Sequence, residues 1–261
     1  MSRYLICFLL ANMTALSACS SGGQNQALPL AAAGAQASPP AVQPSEEIIA
    51  DSFSVDYIMG KFDPAHHPDF TKVDIAFADR SGHYLRKDTY DAFRKMHAAA
   101  KSEGINLKII SAARNFYRQK EIWEAKWNGA RLVDGKDISK TIPDPVLRAL
   151  KILEFSSMPG TSRHHWGTDL DLNALSDAYF QQGEGLKIYG WLQKHAHNFG
   201  FCQPYTRKGP SRPDGYEEEK WHWSYMPVSK RLTEKARSLL RDEQISGFDG
   251  ADTATSIGVV R

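Results

Sequence analysis

The stretch Ser162-Arg163-His164-His165-Trp166-Gly167-Thr168-Asp169-Leu170-Asp171-Leu172-Asn173 constrains this chain more than any other. Polar and apolar residues alternate from Asp169 to Asn173, which is the pattern of a strand. On a strand, Asp169 and Asp171 point to one face and Leu170 and Leu172 to the other. Two carboxylates on one face repel each other unless something positive lies between them. The His pair just upstream points to a metal as that positive group. A second segment, Glu219-Lys220-Trp221-His222-Trp223, brings another imidazole and another carboxylate on a short strand. A catalytic zinc takes three protein ligands from His and Asp/Glu and keeps a fourth position open. It makes water acidic enough to ionise near neutral pH. A nearby carboxylate that is not a ligand can then carry a proton from the water to the leaving amine. His164, Asp171 and His222 can supply such ligands, and Glu219 the base.

The chain reaches this segment through three kinds of sequence. Met1 to Cys19 reads as an export signal, with Arg3 as its positive start and an apolar run too short to span a bilayer. It ends in Leu16-Ser17-Ala18-Cys19, which resembles the bacterial lipobox. Residues 1–18 are therefore expected to be removed and Cys19 lipidated, which anchors a protein to a membrane without spanning it. Ser20 follows the cysteine, which by analogy favours the outer membrane facing the periplasm in a Gram-negative host. Residues 19–47, rich in Ala, Pro, Gln, Gly and Ser, read as a flexible tether. Residues 48–241 read as one folded domain of roughly 190 residues, long enough for a well-buried core. Residues 242–261 are rich in Gly, Asp and Thr and are expected to be disordered. Of three cysteines, Cys7 leaves with the signal and Cys19 carries lipid, so Cys202 remains as a lone thiol, expected in the core beside Phe201.

Helices and strands are mixed within the domain. Asp88 is placed to cap a helix with Phe93, Met96, His97 and Ala100 inward, closing at Gly104. Leu107 to Ser111 reads as a strand and Tyr117 to Trp127 as a helix. Asp144-Pro145 opens a third helix, with Val146, Ala149, Leu150 and Leu153 as its apolar stripe. Leu186 to Phe199 reads as a fourth, Trp221 to Tyr225 as a strand, and Ser229 starts the last helix. Without regular βαβ alternation, the fold class is α+β. Lys+Arg is 32 and Asp+Glu 30, a balance that gives no reason to expect nucleic acid. No Gly-rich phosphate loop suggests a nucleotide. Neither a Ser-x-x-Lys and Lys-Thr-Gly pair nor a Gly-x-Ser-x-Gly elbow is present, so a serine peptidase lacks its parts.

Ser162-x-His164-x-x-Gly167-x-x-x-Asp171 with Glu219-x-Trp221-His222 resembles the VanY-type D-alanyl-D-alanine carboxypeptidases, the M15 (LAS) zinc peptidases. Ser111-Ala112-Ala113-Arg114, with Gln119 downstream, is similar to the family's Ser-Gly-Tyr-Arg-Ser…Gln segment. Trp191-Leu192 through Ala196-His197-Asn198-Phe199-Gly200-Phe201 is similar to its Trp-Leu…Asn-Ala-His…Gly-Phe stretch. The resemblance covers about residues 105 to 226. It implies a single small α+β domain whose mainly antiparallel sheet carries one zinc ion and is flanked by helices. It implies that His164, Asp171 and His222 bind the zinc and that Glu219 is the general base. Arg114 would bind substrate at the scissile bond and stabilise developing negative charge, and Ser162 and Gln119 would line the substrate site.

The sequence departs from the family at several places. Asp169 stands where a small residue is usual, and is expected either to hydrogen-bond a ligand or to approach the metal. Ala112-Ala113 replace Gly-Tyr, and Trp127 to Asp144 looks like an insertion. The expected function is release of the terminal D-Ala from peptidoglycan stem peptides. The same machinery could instead serve an L,D-carboxypeptidase or a peptidoglycan endopeptidase. A non-catalytic lipoprotein that binds cell-wall peptides is the reading from a different class; the complete set of ligands and base argues against it.

Overall fold

Residues 53–260 are described by the computed structural model. In chain order the regular elements are α1 (Val55–Ile58), β1 (Phe70–Lys72), β2 (Tyr84–Arg86), α2 (Lys87–Ser102), β3 (Ile109–Ser111), α3 (Phe116–Trp127), α4 (Ile138–Thr141) and α5 (Pro145–Ile152). They continue with β4 (Asp169–Leu172), α6 (Gly183–His195), β5 (Phe201–Cys202), β6 (His222–Tyr225), α7 (Met226–Leu239) and α8 (Thr253–Ile257). Strands β3 to β6 form one antiparallel sheet in the order β3-β4-β6-β5, and β1 pairs with β2 in a separate hairpin. The class is α+β. The expected signal, the lipidation site Cys19 and the tether lie outside the described residues. Among the described residues no helix is long and apolar enough to cross a membrane.

The alternation in β4 sorts its residues as the sequence requires. Leu170 and Leu172 are fully buried in an apolar cluster with Phe93 and Met96 of α2 and Ile188 and Leu192 of α6. Asp169 and Asp171 share the opposite face and are buried as well. Antiparallel register sets Asp171 opposite His222 and Asp169 opposite Ser224, so β6 meets the polar face with polar side chains. Directly opposed residues sit within about 5 Å of each other at Cβ, which makes this register the main determinant of the site. A second apolar cluster gathers Trp123 and Trp127 of α3, Ile152 of α5, Leu232 of α7 and Trp166.

Most expected helices are present, with instructive differences. Asp144 caps α5 by accepting from the Leu147 N–H at 2.9 Å, with Pro145 leading the helix. Asp88 does not cap α2, which starts at Lys87; its carboxylate instead pairs with Arg86 at 3.1 Å within the first turn. The helix read over Leu186 to Phe199 starts earlier and divides into α6 and a 3₁₀ turn over Ala196–Phe199. Gly200 ends it in the left-handed region, φ 82°. Helix α7 begins at Met226, ahead of Ser229. Cys202 is exposed rather than buried, because on β5 the core takes its neighbour Phe201.

The tail is the largest correction. Residues 242–260 are folded: a 3₁₀ turn at Asp242–Gln244 and helix α8 carry Ile245, Phe248, Ala254, Val259 and Val260 into the second cluster. The polar composition hid widely spaced apolar anchors. Trp123 donates its indole N–H to the Asp249 carbonyl at 2.9 Å, and Lys120 donates to the Gly247 carbonyl at 2.7 Å. Gly250 lies against Trp127, where a Cβ would come within 2.5 Å of the indole. Burying an Ile, Phe or Val side chain stabilises by about 1.5–3 kcal/mol. A chain ending at Arg241 is therefore expected to lose upwards of about 10 °C in Tm, at roughly 2–4 °C per kcal/mol for a domain of this size. Thermal unfolding of the truncated and full chains measures it; equal Tm values would show that the tail contributes nothing to the core.

Candidate metal centre and its cleft

Three acceptors converge on one point. His164 sits in a 3₁₀ turn over Arg163–Trp166 that Gly167 closes at φ 67°. A Cβ on Gly167 would lie 2.3 Å from the Phe70 ring, so only glycine fits that close approach. Asp171 is the third residue of β4 and His222 the first of β6. Nδ1 of His164 donates to the Ala112 carbonyl at 2.9 Å, which leaves Nε2 as a lone pair facing Asp171 Oδ1 at 3.5 Å. Nε2 of His222 donates to Asp169 Oδ1 at 2.9 Å, which leaves its Nδ1 toward Asp171 Oδ1 at 3.3 Å. Asp171 Oδ1 is buried and accepts no hydrogen bond. Among the described residues, His164, Asp171 and His222 are the group whose ligand atoms all lie within 4.8 Å of one another.

This donor set fits a metal. Two imidazole lone pairs and a carboxylate oxygen, all buried, need a cation between them. The electrostatics say the same. Burial pulls His222 toward its neutral form, yet the hydrogen bond to Asp169 and the carboxylates of Asp171 and Glu219 beside it outweigh burial and raise its pKa well above the usual value. A divalent ion among those carboxylates replaces that proton, as metal binding to histidine does in general. His164 is kept neutral by burial and then by the charge of Arg114, as a nitrogen ligand must be. Two imidazoles and one carboxylate suit zinc in coordination number and donor type.

Asp169 is explained by what it touches. Oδ1 accepts from Arg163 Nε at 2.8 Å and from His222; Oδ2 accepts from Thr168 Oγ1 at 2.6 Å and Ser224 Oγ at 3.1 Å. Burial acts to raise its pKa, but Arg163 and His222 overcome this and hold it ionised. Of the two expected roles, it takes the one of orienting a ligand. Arg163 spans this layer, donating also to Ser224 Oγ at 2.6 Å and Thr233 Oγ1 at 3.0 Å, with its guanidinium over the Trp166 ring.

The three residues open into a cleft of about 370 Å³, whose lining also includes Glu219, Arg114 and Ser162. Glu219 is held by its N–H, which donates to the Tyr205 carbonyl at 2.9 Å, and its Oε2 lies 3.3 Å from His222 Nδ1. Burial raises its pKa, partly offset by the His222 imidazole beside it. Arg114 is pinned by its backbone: its N–H donates to the His164 carbonyl at 3.1 Å, and His165 Nδ1 donates to its carbonyl at 2.6 Å. The other nitrogen of His165 accepts from the Gly160 N–H at 3.0 Å, and burial brings that imidazole down to about 3, so it is a neutral strut. Burial also works against the charge of Arg114, while Asp171 and Glu219 support it. Arg114 Nε and Ser162 Oγ are buried with no hydrogen-bond partner, as groups awaiting a ligand would be.

Gln119 is placed differently from the expectation. It lies on the buried stripe of α3 with Phe116, Trp123 and Trp127, and donates to the Ser157 carbonyl at 2.8 Å. It supports a wall residue of the cleft rather than forming the lining itself. Sequence reading missed Tyr205, Tyr216 and Lys126, which do line the cleft. The tyrosines lie in a loop without a periodic pattern, and Lys126 stands in the last turn of α3, where a basic residue is ordinary helix chemistry.

Comparison with known proteins adds an independent line. Residues 82–228, more than half of the chain, match the family described as VanY, D-alanyl-D-alanine carboxypeptidase. "Putative carboxypeptidase YodJ" of Bacillus subtilis (strain 168) is 27% identical over 212 residues, which is 78% of this chain and 67% of that protein. The D-alanyl-D-alanine carboxypeptidase of Enterococcus faecalis (strain ATCC 700802 / V583) is 27% identical over 137 residues, 50% of this chain. The matched part is 44% of that relative, so the chain spans less than half its length. Among solved structures, the LdcB LD-carboxypeptidase superposes with a TM-score of 0.48 at 25% identity, covering 67% of this chain and 76% of that one.

Proposed function

Since the chain belongs to the VanY D-alanyl-D-alanine carboxypeptidase family, we propose that it is a zinc-dependent peptidase that removes the terminal D-Ala from peptidoglycan stem peptides. The observation that carries this reading is the convergence of His164, Asp171 and His222 on one point, with a buried Asp171 oxygen that accepts no hydrogen bond and Glu219 next to His222. Zinc held there supplies a Lewis acid that polarises a carbonyl and makes water nucleophilic near neutral pH. The protein's own groups do the rest. Glu219 takes a proton at a carboxylate oxygen and returns it to the leaving amine. Arg114, fixed through its backbone and with Nε free of protein partners, holds the oxyanion that develops at the scissile carbonyl. Asp169 keeps the proton of His222 on Nε2, so that Nδ1 stays a ligand. The site is proposed to act in the cell envelope, tethered by residues 19–47 to a lipid on Cys19; support for that part is the Leu16-Ser17-Ala18-Cys19 sequence.

The test uses residues 20–261 with defined penta-, tetra- and cross-linked muropeptides, read by mass spectrometry with and without a chelator. Loss of one D-Ala from the pentapeptide, abolished by the chelator and restored by zinc, is the expected result. Loss only from the tetrapeptide, or opening of cross-links, would replace the D,D assignment by an L,D-carboxypeptidase or an endopeptidase. No cleavage by zinc-loaded protein would overturn the reading in favour of a binding role.

A further inference from the structure

One wall of the cleft carries positive charge that the chemistry described above does not use. Helix α3 turns Ile122 and Lys126 toward the cleft, and the segment after it brings Arg131 to the same wall. That segment, Trp127 to Asp144, is the part of the sequence that looks inserted. Lys126 is half-buried, and its side chain donates to Ser156 Oγ, a neutral acceptor. Among the described residues, neither Lys126 nor Arg131 pairs with a carboxylate. The nearby Asp134 is bonded to Lys151 at 2.6 Å instead. Burial first, and then the fields of Arg131 and Arg114, lower the Lys126 pKa to about 8. Arg131 is exposed at the mouth of the cleft and Lys126 half-buried behind it, so the two like charges repel and Lys126 has lost part of its hydration. An anion entering the cleft removes both penalties at once, and a carboxylate accepts from both side chains through its two oxygens.

We propose that Lys126 and Arg131 form a carboxylate-binding subsite on the α3 wall, which selects peptide substrates by an anionic group distinct from the carbonyl that Arg114 serves. The subsite rests on the peptidase reading for its ligand class. Two carboxylates of a stem peptide could fill it: the C-terminal one or one on a side chain. Chemistry at the subsite is the same for both.

The experiment measures peptide binding by calorimetry, using the full zinc-loaded chain in detergent with Glu219→Ala to prevent turnover. Two peptide pairs are compared. In one, a D-Ala-D-Ala pentapeptide ends in a carboxylate or in an amide. In the other, its third residue is meso-diaminopimelate or the corresponding carboxamide. Lys126→Met with Arg131→Gln is expected to weaken the anionic member of one pair by about 10–100-fold, the range for a charge-assisted contact. Its amide partner should change by less than about twofold, and the affected pair identifies the carboxylate. Lys126→Arg should retain most of the discrimination, which a merely structural contact with Ser156 would not predict. Equal weakening of both members of each pair, or of neither, overturns the subsite. So does absence of peptide binding by the parent protein. Discrimination that persists in a parent chain whose Glu219-containing form cleaves nothing would leave the subsite standing and sink the peptidase reading instead.

Discussion

Glu219→Ala is expected to keep its zinc and lose about 10²–10⁴-fold in turnover, the usual contribution of a positioned general acid–base. The two outcomes separate because Glu219 stands next to the ligand set without belonging to it. His164, Asp171 and His222 already supply three ligand atoms, the number a catalytic zinc takes while one position stays open. The Glu219 carboxylate is buried in the cleft, and its backbone is tied to the Tyr205 carbonyl. Removing the side chain therefore deletes a proton carrier and leaves the metal's own donors in place. Elemental analysis and turnover on the pentapeptide, measured on the same preparation, check both halves. Near-native turnover would remove Glu219 as the base. Loss of the metal would make it a ligand.

What could be read from the sequence follows from how local the signal is. Strand β4 was legible because alternation is a property of adjacent residues, and burial of Leu170 and Leu172 on one face leaves the aspartates no other side. His164, Asp171, Glu219 and His222 were legible as residue types, and their meeting depends on one register, Asp171 opposite His222. Asp169 shows where locality ends. Its place two residues before Asp171 on a strand leaves two roles open, orienting a ligand or approaching the metal. Its role is decided by contacts outside its own strand: Arg163 Nε and His222 Nε2 both donate to its Oδ1, the second of them across the β4–β6 pair. Gln119 fails for a related reason: a helix has one buried stripe, and nothing in the spacing says whether the stripe faces the cleft or the core behind it. The tail was misread because Ile245, Phe248 and Val259 are too far apart to form a periodic pattern, although each finds the same cluster.

Asp169→Ala is expected to act on two properties that can be pulled apart. The variant leaves the buried Arg163 guanidinium without the carboxylate 2.8 Å from its Nε. Breaking a buried pair from one side typically costs about 3–5 kcal/mol. The same deletion frees His222 Nε2, so the imidazole is no longer held in the orientation and tautomer that present Nδ1 to the metal. Losing such a supporting contact typically weakens metal affinity about 10–100-fold. Chemical denaturation reads the first effect and competition with a chelator the second. Asp169→Asn retains an oxygen that can accept from Arg163 and His222, so its stability loss should be smaller, while loss of the charge still lowers the basicity of His222. Adding Arg163→Met to Asp169→Ala removes the stranded cation. The double variant should recover part of the stability and none of the zinc affinity, because the cation's penalty disappears while His222 remains unsupported. Recovery of zinc affinity in the double variant would show that Asp169 acts only by neutralising Arg163. Unchanged affinity in Asp169→Ala itself would show that Ala112–His164 and the β4–β6 register suffice to hold the ligands.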